Sequence, residues 1–582
     1  MTTDSEISLS DHKTSPPDLS NPFSGVNRRK FLKGVKNAAA LTMTAGLVSL
    51  EPLISGGNTA QAFPEVNPLT PNDRLAQARA VREAAALYHF DQGMPVHENN
   101  GDEDEFPNYI ANYSKGLPHN HFGEVDGPAY NALMNAIGVG TETAFNAVPL
   151  GGSRKLTNPR AGLCFDLEGK DPQQFTIPPA PKFNSAEQAG EMVELYWMAL
   201  LRDVNFLTYD RHPLVAAALA ELNGLSDFRG PKANNVVTVQ TLFRDDVPGG
   251  TVGPYLSQFM WLFTPFGAEV VDRRMQVLAA GSDKMTDFNE WLAVQRGNVP
   301  GTERFKKKRR YITTGRDLAQ WVHIDVLFQA YFNACLILGT PPGGGGIGCP
   351  LNPSNPYSNA RSEEGFGTWG APFIKTLMCE AATRALKAVW FQKWMVHRRL
   401  RPEAFGGRIH IQKISNRYPG MIHDEVLGSE AVDRVHGKYG SYLLPMVFPE
   451  GSPTHPAYGA GHATVAGASV TILKAMFDEN YVIPNPVVPN PAGTTLHAYS
   501  GEPLTVGGEL NKLASNVATG RNMAGVHWRT DAYWSLRLGE EIAIELLRDT
   551  LTTFNEDMSG GITFTDFDGR TVTITPSGVS TG

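Results

Sequence analysis

The stretch "MCEAATRALKAVWFQKWMVHRRLRPEAF", residues Met378–Phe405, is rich in strong helix formers and has no breaker before Pro402. It reads as one long helix that Pro402 stops. Downstream, "HPAYGAGHATVAGA" from His455 to Ala468 puts two glycines and a histidine ahead of an apolar run, so a second helix starts at His462. There Ala463, Ala466 and Gly467 allow close packing against a neighbour. "GELNKLASNVATGRNMA" is a third helix ending near Gly525, and "AYWSLRLGEEIAIELLRDTL" a fourth, starting after Asp531. Upstream, Ser185 and Gln188 form a capping box before "AGEMVELYWMALLRDV", where Met192, Leu195, Tyr196 and Ala199 recur at helical spacing. "PLVAAALAELN", "SQFMWLFTPFGAEVVDRRMQVLAAG" and "GRDLAQWVHIDVLFQAYFNACLILG" continue in the same style. Only the tail "TFTDFDGRTVTIT" alternates with period two, around Asp568-Gly569. The predicted fold is all-α: two packed four-helix-bundle-like units with a small C-terminal β-hairpin.

At 582 residues the chain is too long for one small core. Its 41% hydrophobic and 19% charged residues are those of a folded protein. A net charge of −8 excludes non-specific nucleic-acid binding, which needs a basic surface. Cys164, Cys335, Cys349 and Cys379 have no metal-ligand spacing; Cys335 and Cys349 could pair, but structural thiols are the reading taken. Near the N-terminus, Arg28 and Arg29 precede a short apolar run and the small-residue site Ala60-Gln61-Ala62. That run is too short to span a membrane, and the segment resembles a twin-arginine export signal. A mature chain starting near Phe63 in the periplasm or outside the cell is therefore expected. Four regions result: an export signal over 1–62, a loop-rich helical region over 63–181, a helical core over 182–555, and the hairpin and tail over 556–582. Within them, "HNH" at His119–His121 is read as a solvated loop before a metal site, the basic run Arg304–Arg310 as a solvated turn or subunit contact, and "PPGGGGIGCP" as a connector.

Three segments carry chemistry. Lys393 and Arg401 lie eight residues apart near the end of one expected helix, a rise of about 12 Å that two long side chains can close. Gly461-His462 opens a helix whose unpaired N–H groups and macrodipole favour an anion. In "RNMAGVHWRTD", Gly525 breaks the chain direction so that Arg521 and His527 both point inward, and Asp531 opens the next helix. Three cations, a backbone donor and two imidazoles make a pocket too cationic for a core and suited to a tetrahedral oxyanion.

This combination resembles the vanadium-dependent haloperoxidases and the acid phosphatases that share their anion site. The seven residues between Lys393 and Arg401, one more than in the phosphatases and fungal chloroperoxidases, are similar to the red-algal and cyanobacterial bromoperoxidase branch. "ELYWMALLRDV", "GPYLSQF", "FQAYFNA", "KWMVHRRLRPE" and "SPTHPAYGAGHA" resemble that branch as well. The resemblance implies bound vanadate, with His527 as its axial ligand and Lys393, Arg401, Arg521 and the Gly461 N–H neutralising its equatorial oxygens. It implies His462 as the acid–base residue, Lys393 as the group that polarises the oxidant, and Asp531 as a brace. His455 and Trp390 sit where halide choice is set, and His455 is expected to tune His462 from behind. The implied reaction is oxidation of bromide and iodide by hydrogen peroxide to hypohalous acid, which halogenates diffusible organic acceptors. One departure stands out: Ala460 occupies the place of a serine whose hydroxyl normally donates to the anion, a bond worth about 1.5–3 kcal/mol.

The competing reading is an acid phosphatase using the same pocket, with His527 as nucleophile and His462 protonating the leaving alcohol. An exported oxyanion-binding protein without turnover is a third, and it would leave both histidines idle. The resemblance further implies a homo-oligomer built from dimers. A structural calcium ion has suitable oxygens in "SNPYSNARSEEGFG", 354–367, though a plain surface loop is the simpler reading.

Overall fold

In the computed structural model, which describes residues 71–582, the helix Gly461–Met476 is buried along its whole length except at His462. Its composition explains that position. Small residues on its faces let whole helices approach: a Cβ on Gly467 would come 2.0 Å from the Leu536 carbonyl oxygen, and one on Gly539 2.0 Å from that of Thr464. The helices Gly461–Met476 and Arg529–Leu551 thus touch backbone to backbone. Ala371–Phe391 and Val506–Met523 pack on the same central helix, which completes a four-helix arrangement. The central helix has one buried charge, Lys474, which lies 3.3 Å from Glu540 and donates to the Thr565 carbonyl at 2.7 Å, tying the C-terminal sheet to the bundle. A second helical group surrounds Ala186–Leu201, which packs against Pro213–Gly224, Asp424–Leu427 and Glu430–Tyr439.

The expected all-α class holds, with departures that have local causes. Met378–Phe405 is not one helix. Ala371–Phe391 passes into a π-turn over Gln392–His397, and Arg398 then takes a left-handed conformation (φ 44°). Pro402 stops nothing; it starts the next helix, Pro402–Ser415, because a first-turn position needs no N–H. The restriction that proline imposes on its predecessor keeps Arg401 extended (φ −79°, ψ 148°). Lys393 and Arg401 therefore converge from two elements, not along one helix.

The "SQFMWLF…" stretch holds a short 3₁₀ turn, Gln258–Met260, and a hairpin of Thr264–Phe266 with Glu269–Val271, turned at Gly267 (φ 61°). The stretch after Gly315 splits into Gly315–Trp321 and Gln329–Gly339. The C-terminal hairpin gains a third antiparallel strand, so Ile562–Thr565, Thr571–Thr575 and Gly578–Thr581 form one sheet. Ser185 accepts from Gln188 N–H as a cap, but the Gln188 amide does not close a capping box; it accepts from Arg399. His119 is buried rather than solvated, and burial pushes its pKa down to about 3.

All four cysteines are free thiols, and among the described residues no group of three or more His, Cys, Asp or Glu side chains converges as a metal site. No described helix is long and apolar enough to cross a membrane. The twin-arginine segment lies outside the described residues.

The contact at Gly539 makes a direct test of the bundle: Gly539→Ala should lower stability by about 1–3 kcal/mol through overpacking, read as a lower unfolding midpoint. His397, at the end of the π-turn, is buried with neither ring nitrogen bonded among the described residues, and its pKa is pushed down to about 3 by burial and then by Arg398. Below about pH 6.5 the unfolded chain binds a proton there that the fold does not, so this imidazole costs stability as pH falls. His397→Phe should therefore gain on the parent protein as pH drops, by about 2 kcal/mol at about pH 5 in denaturant titrations.

Candidate active site

Four of the expected site residues arrive from three places. Lys393 projects from the π-turn, where an i→i+5 turn rotates side chains out of the α-helical register. Arg401 comes from the extended residue before Pro402. Arg521 and His527 flank the Gly525 turn (φ 86°), which ends the helix Val506–Met523 and reverses the chain into Arg529–Leu551.

Each cation is buried, and each donates to neutral carbonyls. Lys393 Nζ donates to the carbonyls of Pro456 (2.9 Å) and Ala457 (3.0 Å). Arg401 donates to the His455 carbonyl (2.9 and 2.8 Å) and the Val526 carbonyl (2.7 Å). Arg521 donates to the Val322 carbonyl (2.7 Å), and its Nε has no partner. Among the described residues no carboxylate lies within ion-pair distance of any of the three. Burial, then mutual repulsion, holds Lys393 well below its usual range and brings Arg401 down to about 10. Burial also brings Arg521 down to about 10. Beside them the helix Gly461–Met476 begins at Ala460 with no side chain capping its first turn. A Cβ on Gly461 would sit 3.1 Å from the Trp390 ring, so glycine keeps that end open.

The histidines are arranged differently. His527 Nδ1 lies 2.8 Å from Asp531 Oδ2, while Arg401 Nη1 points at His527 Nε2 from 3.1 Å. A guanidinium can only donate, so Nε2 carries the lone pair and Nδ1 the proton. Burial and then the nearby Arg401 and Lys393 hold the His527 pKa well below its usual value, and the ring stays neutral. Asp531 also accepts from Arg399 (2.8 Å) and from the Trp528 N–H (3.1 Å), which fixes the carboxylate itself. It sits within the first turn of Arg529–Leu551, not before it. The chemistry available is a neutral imidazole lone pair facing a volume of unpaired positive charge.

His462 is the exposed member, its side chain 25% accessible, and its Nε2 lies 3.0 Å from Asp325 Oδ1. The expected link from His455 to His462 is replaced by another arrangement. His455 Nδ1 accepts from Arg401 (2.9 Å) and its ring lies 4.8 Å from that of Trp390, so His455 supports a cation. Trp390 lines the same wall, with Lys393 Nζ 5.8 Å from its ring. The residues missed in the sequence are Asp325 and Arg399. An acidic residue inside the apolar "WVHIDVLF" was the only signal for the first; an Arg-Arg pair beside Arg401 was the signal for the second.

Residues 376–556 match the family model of the VCPO second helical-bundle domain. The chain is 36% identical to a vanadium-dependent bromoperoxidase of Corallina pilulifera, over 86% of this chain and 97% of that one. The chain belongs to the vanadium-dependent bromoperoxidase family. A second relative, the vanadium-dependent bromoperoxidase of Ascophyllum nodosum, is 35% identical over 84% of this chain and 91% of its own. Among solved structures, the homohexameric second vanadate-dependent bromoperoxidase of A. nodosum superimposes with a TM-score of 0.84 at 31% identity, covering 94% of this chain and 97% of that one.

The residues present fit an oxyanion on grounds of their own: three buried cations without an ion-pair partner that act on one another and on His527, the orphaned Arg521 Nε, and an uncapped helix start. Ala460 contributes no hydroxyl there, and its N–H is already used by Ser535 Oγ (2.7 Å).

Asp531→Asn removes the anionic acceptor that fixes the His527 tautomer. It should weaken binding of inorganic vanadate to the apo-protein by about 10–100-fold in equilibrium dialysis. Affinity within about twofold of the parent's would show that this contact does not set His527.

Proposed function

We propose that this protein is a vanadium-dependent bromoperoxidase: it oxidises bromide, and iodide, with hydrogen peroxide to hypohalous acid, which then halogenates diffusible organic acceptors. The observation that carries the reading is the set of three buried cations with no carboxylate partner, beside a histidine whose Nε2 carries a lone pair. Lys393, Arg401, Arg521 and the Gly461 N–H would hold vanadate, and His527 Nε2 would ligate the metal. When bound, vanadate supplies a Lewis-acidic oxyanion at which peroxide becomes an oxidant for halide.

The chain's own groups have separable tasks. Asp531 keeps the His527 proton on Nδ1, so that the lone pair stays on Nε2, where a metal would take the place of the Arg401 contact. Lys393, desolvated and held by two carbonyls, keeps one N–H direction open toward the oxidant. His462 takes and returns protons at Nε2, with Asp325 orienting the ring. Trp390 and His455 shape the wall that halide meets. The homohexameric neighbour supports a homo-oligomer, which we take to be assembled from dimers, and the N-terminal twin-arginine segment supports a site of action in the periplasm or outside the cell.

Apo-protein given orthovanadate should brominate a dye in a peroxide-dependent assay and oxidise bromide faster than chloride at equal concentration. His527→Ala should abolish bromination and vanadate binding together, whereas His462→Ala should keep binding and lose about 10²–10⁴-fold in rate. Hydrolysis of a phosphate ester without vanadate, in the absence of bromination, would replace this reading by the phosphatase one.

A further inference from the structure

We propose that His323 is a positioning residue for the oxyanion pocket: it clamps the segment 322–326, which delivers two separate contacts to the site. The inference rests on the pocket reading above. The segment lies between Gly315–Trp321 and Gln329–Gly339. Its first residue, Val322, offers the carbonyl that takes the Arg521 Nη1–H at 2.7 Å. Three residues on, Asp325 offers the carboxylate that meets His462 Nε2 at 3.0 Å. One short turn therefore orients both a cation of the anion site and the acid–base histidine.

The turn needs an anchor beyond Val322, whose side chain packs where Gly520 leaves room. Ile324 and Val326, on either side of Asp325, are 67% and 58% exposed and hold nothing. His323 is held by Glu450 and Phe448, with Glu303 beside its other nitrogen but not hydrogen-bonded to it. Its Nε2 lies 2.6 Å from Glu450 Oε1 and its Nδ1 3.1 Å from Glu303 Oε1. Its ring stacks on Phe448, with centroids 3.7 Å apart and planes 9° from parallel. Phe448 is buried, and the Arg521 guanidinium lies 5.6 Å from the same ring. The clamp thus reaches Arg521 by two routes, through the Val322 carbonyl and through Phe448, and reaches His462 through Asp325. Asp325 and Glu450 are also the acidic groups that partly offset the effect of burial on Arg521.

Replacing His323 separates these routes. His323→Phe keeps a ring on Phe448 but loses both carboxylate contacts; His323→Ala loses everything; Glu450→Gln weakens one contact and leaves the ring in place. Each variant and the parent would be measured for vanadate Kd by dialysis of the apo-protein, for kcat with bromide, and for unfolding midpoint. We expect kcat to fall about tenfold in His323→Phe and His323→Ala, and less in Glu450→Gln. Vanadate Kd should stay within about threefold in His323→Phe and weaken about tenfold in His323→Ala. A lower unfolding midpoint with parental kcat and Kd in His323→Phe would overturn the clamp, since a residue that only stabilises the fold moves neither. If His323→Ala does not fold, His323→Phe and Glu450→Gln decide by the same criteria. A parent that fails to bind vanadate would overturn the pocket reading itself, and the clamp with it; a parent that binds beside an unaffected His323→Phe would overturn the clamp alone.

Discussion

Lys393, Arg401 and Arg521 are buried near enough to act on one another, and burying like charges together is among the costliest arrangements a fold can make. The neighbourhood answers with dipoles rather than charges: five backbone carbonyls and the open start of a helix. Dipoles orient the cations without neutralising them, so the folded protein carries a deficit that an anion can fill. A ligand that binds the folded state alone stabilises it by mass action, and the oxyanion is in that sense part of the fold.

Carboxylates are present nearby but are kept one step away from those cations. Asp531 is used by His527, Arg399 and the Trp528 N–H, and Asp325 by His462. Had either paired with Lys393 or Arg521, it would have occupied the place of the ligand. The two pairs also separate the histidines by environment. His527 is buried among positive charges that hold its pKa well below the usual value, whereas His462 is partly open to solvent. Arg399 completes the first pair from outside, through Thr530, Gln188 and Glu191, and so connects the site to the second helical group.

Two backbone devices give these side chains their directions. The π-turn over Gln392–His397 and the left-handed Arg398 turn Lys393 inward and let the chain re-enter extended at Arg401. The close crossing of Gly461–Met476 with Arg529–Leu551 lets Ser535 accept from the Ala460 N–H at the helix start. The segment 322–326 adds the contacts to Arg521 and His462, with Val322 buried, Ile324 and Val326 outward, and His323 and Asp325 held by polar partners.

The sequence by itself determined the helical class and most of the pocket. Lys393, Arg401, Gly461, His462, Arg521, His527 and Asp531 stand at spacings that turns and helix ends convert into convergence, and such local geometry depends on few residues. The residues that breaks in helical pattern leave behind, Pro402 and Gly525, were legible as boundaries, although Pro402 proved to begin a helix because its effect depends on which side of a break it lies. What only the tertiary structure decided is who meets whom across long separations. Asp325 and His462 are 137 residues apart, and Arg399 and Asp531 132. The π-turn has no compositional signature, and the support of Arg401 by His455 follows from the packing of Trp390 against it. These contacts are set by how helices dock, through many weak and non-local packing terms, and a single chain read in order does not reveal them.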